Sequence, residues 1–134
     1  MDTSFINYWA VLVAALSSFF IGGIWYSPAL FGTAWMRENG LTEAQLKERN
    51  MLKVFGLAFL LALISSFNLV MFLGPESNIS SGAFYGFLAG FGWVATFVGT
   101  HYLFEKKSLT LFLINAGYSI VALTVMGLIL GAWR

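Results

Sequence analysis

The sequence predicts an all-α membrane protein of four transmembrane helices, the second of them extended into the cytoplasm, with a short interfacial segment after the first. Three observations predict it. Four apolar runs, at about 5–27, 51–73, 80–104 and 109–133, are each long enough to cross a hydrocarbon core of roughly 30 Å as helix. The chain is 59% hydrophobic and only 10% charged, against about 25% charged in a soluble domain. Its mean hydropathy of +0.81 excludes a water-soluble fold. The 134 residues read as one four-helix domain, 1–134, whose spans and connections leave no separate catalytic or binding unit. Function is expected between the helices or at their ends.

The first run begins without a basic stretch before it and is longer than the core of a signal peptide, so it reads as a retained helix. Ser17, Ser18, Gly22 and Gly23 give it a small-residue face, and Trp9, Trp25 and Tyr26 stand near its ends as interfacial anchors. Pro28 stops it, because the residue before a proline is pushed out of helical backbone. The connection 28–50 opens with an aromatic-rich piece holding Phe31 and Trp35, which belongs at the headgroups, and Asn39-Gly40 is a turn signal. Thr42 with Gln45 makes a capping box, and Glu43 precedes Lys47 by four residues, the favourable order for an ion pair. From Met51 this helix is expected to continue unbroken into the second span. Its length of about 48 Å makes its first part protrude from the membrane.

The third run, 80–104, carries no charged side chain and holds Gly82, Gly86 and Gly90 at a spacing of four. That spacing stacks three missing side chains on one face, where another helix backbone can approach closely. Asn78-Ile79-Ser80 matches a glycosylation acceptor, but its closeness to the membrane makes it a chance match. The run ends with His101, the one histidine, before Glu105, Lys106 and Lys107. After this short connection the fourth run completes the set. Arg37, Lys47, Arg49, Lys53, Lys106 and Lys107 fall on one side of the membrane and Arg134 on the other. This bias places both charged connections in the cytoplasm and both termini outside.

The net charge of +1, with no extended basic surface, argues against a nucleic-acid partner. The absence of cysteine removes disulfides, thiol chemistry and Cys-based zinc sites. Within the spans, the polar side chains include Ser65, Ser66 and Asn68; Thr96, Thr100 and His101; and Asn115, Tyr118, Ser119 and Thr124. None is a carboxylate or a lysine, so a proton-coupled carrier would have only His101 to use. By residue counting His101, Asn115 and Tyr118 lie at one depth near the cytoplasmic side, and they form the candidate binding site with Trp25 or Tyr26 as its wall. Asn68 joins the candidate binding residues. The bland reading is interhelical glue, each such bond contributing only about 0.6 to 2 kcal/mol. Phe84, Phe87, Phe91 and Phe97 read as lipid-facing or packing residues. Trp25-Tyr26 closes the first span much as His101-Tyr102 closes the third, a faint two-helix repeat. Neither an inverted repeat nor a broken helix marks a transporter site.

Several stretches together resemble one family, the domain of unknown function 1761 family. They are Gly23-Ile24-Trp25-Tyr26-Ser27-Pro28 with Phe31-Gly32 and Trp35, His101-Tyr102-Leu103-Phe104-Glu105, Asn115-Ala116-Gly117-Tyr118, and Gly131-Ala132-Trp133. The resemblance covers nearly the whole chain and implies a small, mostly bacterial integral-membrane protein of the inner membrane, with no activity to carry over. Two functions remain open. One is a homo-oligomer whose polar pocket near the cytoplasmic leaflet binds or conducts a small solute or a lipid headgroup. The other is a structural or accessory protein that uses the glycine face for assembly. No nucleophile–base pair, metal-ligand set or phosphate loop is visible, so neither an enzyme nor a cofactor is expected, and the expected partners are membrane lipids and further copies of the chain.

Overall fold

Each of the four long helices starts at a residue that can cap it. The computed structural model describes residues 3–134, and among them there is no strand. The spans are Tyr8–Trp25, Met51–Leu73, Ile79–Phe104 and Leu109–Ala132. Their N-caps are Asn7, Asn50, Asn78 and Ser108, and each side chain accepts from backbone N–H groups of the first turn. Asn78 and Ser81 close a reciprocal capping box. Free amides at a helix start are costly beside hydrocarbon, so these caps fix where each span begins. The spans agree with the sequence reading to within a few residues. The largest difference is at the first, where Asn7 delays the helix to Tyr8.

The connection departs from expectation in two respects. A helix Gly32–Asn39 ends at Gly40, whose φ of 67° lets Leu41 N–H reach Met36 O at 2.9 Å. The Thr42–Gln45 capping box forms and starts a helix Glu43–Lys47. That helix does not run on into the second span. It stops at Glu48, and Asn50, in extended backbone, takes the Lys53 N–H on its side chain at 3.2 Å. The single helix of about 48 Å is therefore two helices, and the extension of the second span is replaced by a separate short one. Among the described residues the ion pair formed is Arg37–Glu38 at 3.7 Å, and Glu43 does not reach Lys47.

The chain passes to and fro between two ends, a Trp25 end and a Trp133 end. The fourth span lies at the centre, with the third against one side and the first against another. Third and fourth spans meet backbone to backbone: a methyl group added at Gly82 would overlap the carbonyl oxygen of Gly127, one at Gly86 that of Leu123, and one at Gly90 would lie 2.8 Å from Ile120 Cα. The fourth span answers with its own glycines. Gly127 faces the Gly82 carbonyl and Gly131 that of Asn78. The glycine face thus serves a contact within one chain.

The first span buries Ala10, Ala14, Ala15 and Ser18. Only part of its expected small face is used, with Gly22 against the Tyr118 ring and Gly23 in open space. The second span packs on the first, where fully buried Ser66 donates its hydroxyl to Val11 O at 2.8 Å. An apolar core of Ile6, Val11, Leu69, Leu73, Met126 and Leu130 fills the Trp133 end. There the Arg134 guanidinium donates to Gly74 O at 2.6 Å and Ser77 Oγ at 2.5 Å, tying the second connection to the last residue. Second and third spans follow one another in sequence yet touch little, so a cleft opens between them.

Gly86→Leu should drive the third and fourth spans apart and lower the unfolding temperature in detergent by many degrees. Gly56→Ala, in a helix interior with nothing within 4 Å of the added methyl, should be neutral or stabilise by about 0.5 to 1 kcal/mol. Equal stability of the native chain and Gly86→Leu would contradict the packing just described.

Candidate functional site

Polar side chains gather at two places, and their bonding differs. At the Trp25 end, Asn115 is the hub. The Tyr26 hydroxyl donates to its Oδ1 at 2.7 Å, and its Nδ2 donates to the Tyr102 hydroxyl at 2.7 Å, so one amide joins first, third and fourth spans. Trp25 Nε1 donates to Ile114 O at 2.9 Å, and the Tyr118 hydroxyl donates to Ser18 O at 2.9 Å. The Tyr26 ring lies 5.4 Å from that of Tyr118 and 6.0 Å from that of Trp35.

A tight turn sets up this arrangement. After Pro28 the chain folds back, with Phe31 N–H to Trp25 O at 3.0 Å and Gly32 N–H to Ser27 O at 2.9 Å. A methyl group on Gly32 would overlap the Tyr26 carbonyl, so only glycine lets the next helix bring Trp35 onto Tyr26. Gly117 is likewise covered by the Trp25 indole, 3.0 Å from where a methyl group would stand.

Of the residues expected here, Trp25, Tyr26, Asn115 and Tyr118 come together and two do not. His101 is exposed and makes no side-chain hydrogen bond among the described residues; its neighbour Tyr102 takes the place foreseen for it. The cause lies eleven residues earlier. In a regular helix of about 100° per residue, His101 falls within roughly 20° of Gly90, on the face that meets the fourth span. The third span is π-helical over Gly90–Ala95, and such a turn accommodates one extra residue. Everything beyond it rotates by about one position, which carries His101 off the face and Tyr102 onto it. The Thr96 hydroxyl, 2.9 Å from both Gly92 O and Trp93 O, supplies a donor to the carbonyls of the widened turn. The faint repeat did hold the signal, since Tyr26 and Tyr102 are its matching residues and both bind Asn115.

Asn68 lies elsewhere, in the cleft between second and third spans. The cleft has a volume of about 530 Å³ and includes Ser65, Asn68, Phe72, Tyr85, Trp93 and Leu123 in its walls. A smaller one of about 270 Å³ adjoins it, sharing Ser65, Val94 and Leu123 and reaching Ser18 and Tyr118. The π turn forms part of the wall through Trp93 and Val94. Asn68 and Ser65 sit three apart on one helix face, are exposed, and have no side-chain hydrogen bond among the described residues. The sequence reading did not single out Trp93 and Tyr85 as walls of a site, because their role depends on how far the two spans splay.

Tyr102→Phe should lower stability by about 0.6 to 2 kcal/mol, the range for an interhelical bond in a membrane. His101→Ala should change it by less than about 0.5 kcal/mol. Reversible unfolding in mixed micelles compares them, and the opposite order would restore His101 to the site.

No match to a curated protein or to a solved structure was found. The family model described as a protein of unknown function (DUF1761) matches residues 9–131. The chain, a multi-pass membrane protein by its four apolar spans, therefore belongs to the DUF1761 family.

Proposed function

We propose that this protein binds a small, membrane-dissolved molecule in the cleft between its second and third spans. One contrast carries the reading: the polar groups around Asn115 bond to one another, whereas Asn68 and Ser65 face the cleft without partners among the described residues. An unpaired amide costs several kcal/mol in apolar surroundings, so a ligand bearing a hydrogen-bonding group is stabilised there. The volume of about 530 Å³ is that of ordinary small-molecule sites. No catalytic role is assigned to any residue. Binding thus moves from the Asn115 cluster, where the sequence reading put it, to Asn68.

The setting proposed is the bacterial inner membrane, with the Trp25 end in the cytoplasm. The six Lys and Arg residues of that end against Arg134 at the other support this orientation. The Gly32–Asn39 helix, with Trp35 on it and Phe31 at its start, then rests at the cytoplasmic headgroups, and the cleft around Asn68 lies in the outer half of the bilayer. A second reading, an accessory protein that assembles with copies of itself or with a larger partner, is supported by the pairing of the Asn115 amide within the chain and by the second span, of which only 17% is buried.

Two measurements test these readings. A reporter enzyme fused after residue 134 should be active only outside the cytoplasm. Asn115→Ala should destabilise the purified protein while leaving ligand binding per folded molecule unchanged, and Asn68→Leu should do the reverse. Loss of stability without loss of binding in both variants would leave the accessory reading.

A further inference from the structure

Resting on the cleft reading, we infer that the ligand is an uncharged lipid whose head is a flat ring bearing a carbonyl group, the chemistry of a quinone. Four observations converge on that class. None of the residues lining either cleft is Asp, Glu, Lys, Arg or His. A phosphate or ammonium headgroup would have no counter-charge there and would lose its hydration.

Depth is the second observation. Asn68 lies five residues before Leu73, the end of the second span, or about 8 Å along the axis. That places its amide beneath the headgroups of the outer leaflet, so the group it meets must itself dissolve in hydrocarbon.

The walls give the third. Phe72 and Trp93 meet edge to face with centroids 5.6 Å apart, and Tyr85 lines the same space. An aromatic surround favours a flat ring, which gains about 0.5 to 1.5 kcal/mol from each well-placed aromatic contact beyond its buried area. The polar groups offered are an amide and two hydroxyls, from Asn68, Ser65 and Tyr85, all able to donate. A ring carbonyl, which only accepts, matches them. The fourth is the adjoining smaller cleft, which continues past Ser65 to Ala58, a run of ten residues from Asn68 or about 15 Å, with Ala62, Ala122 and Met126 along it. Most of its lining is apolar, with hydroxyls at Ser18, Ser65, Tyr118 and Ser119, and it suits the ligand's tail. The inference concerns binding alone, and no electron transfer is proposed.

The test uses the purified full chain in nanodiscs and a benzoquinone with a ten-carbon tail as probe, followed by quenching of tryptophan fluorescence and by thermal stability. Saturable quenching is expected, with the largest share of it lost in Trp93→Phe. The dissociation constant should rise about tenfold in Asn68→Leu and less in Ser65→Ala, with folding not impaired because neither side chain has a partner to lose among the described residues. Decylbenzene, with the ring and tail but no carbonyl, should bind at least tenfold more weakly than the quinone. If decylbenzene binds as tightly, or Asn68→Leu has no effect, the ring-carbonyl class is overturned while the cleft remains a binding site. Ala89→Phe, which fills the cleft, separates that outcome from a deeper failure: quinone, decylbenzene and decanol all unaffected by it would overturn the cleft reading itself. Efficient disulfide formation between two copies of Ser65→Cys in native membranes, unaffected by added quinone, would put a second copy in the cleft and overturn the inference.

Discussion

The contact between third and fourth spans sets the geometry of everything else. In lipid, apolar side chains gain little by leaving one apolar medium for another, so association depends on close packing and on hydrogen bonds. Gly82, Gly86 and Gly90 on one helix and Gly127 and Gly131 on the other remove the side chains that would hold the backbones apart. With the fourth span committed to this contact toward its Trp133 end, its other faces are left for the first span, whose alanines and Ser18 fit closely, and little of it is left for the second. The second span is therefore held mainly by the first, through Ser66 and the core around Leu69. The cleft follows from this sequence of commitments: one tight pair, a third helix packed on it, and a fourth helix held at one remove.

What could be read from the chain beforehand was what depends on short stretches. Spans are visible because about 20 apolar residues are needed to cross a bilayer, and the Thr42–Gln45 box because its spacing is local. The face of Gly82, Gly86 and Gly90 was legible for the same reason, although Gly127 and Gly131 were not recognised as its partners. Two readings went astray for local reasons. Asn50, expected inside a continuous helix, is a cap, and His101 was placed by its depth alone, which does not say which way a side chain points once the helix widens at Gly90–Ala95. The second error amounts to one residue, His101 for Tyr102, but a one-residue slip on a helix moves a side chain by about a quarter of a turn and changes its partners entirely.

The π turn also ties the two polar places to each other. On its near side the third span is fixed by the glycine contact; on its far side Tyr102 is fixed by Asn115. Both anchors can be met only if the helix holds one residue more than a regular turn allows, and the surplus is taken up at Gly90–Ala95. Gly92, with open space where a side chain would be, adds no steric resistance to the wider turn, and Thr96 offers its hydroxyl to the displaced carbonyls. The same widening helps set Trp93 and Val94 toward the cleft.

The contrast between the two asparagines then has a physical meaning. Each carries an amide with donors and acceptors to satisfy in a medium without water. Asn115 stands where three helices converge, and two tyrosines reach it, so its oxygen and its nitrogen each find a partner within the chain and it holds those helices in register. Asn68 stands where two helices diverge, opposite Tyr85 and Trp93, and no group among the described residues reaches it. A purely structural asparagine at that point would cost stability and return nothing, since leucine would fill the same face at lower cost. In the binding role proposed above a ligand completes its hydrogen bonds, and the divergence of the second and third spans makes room for it.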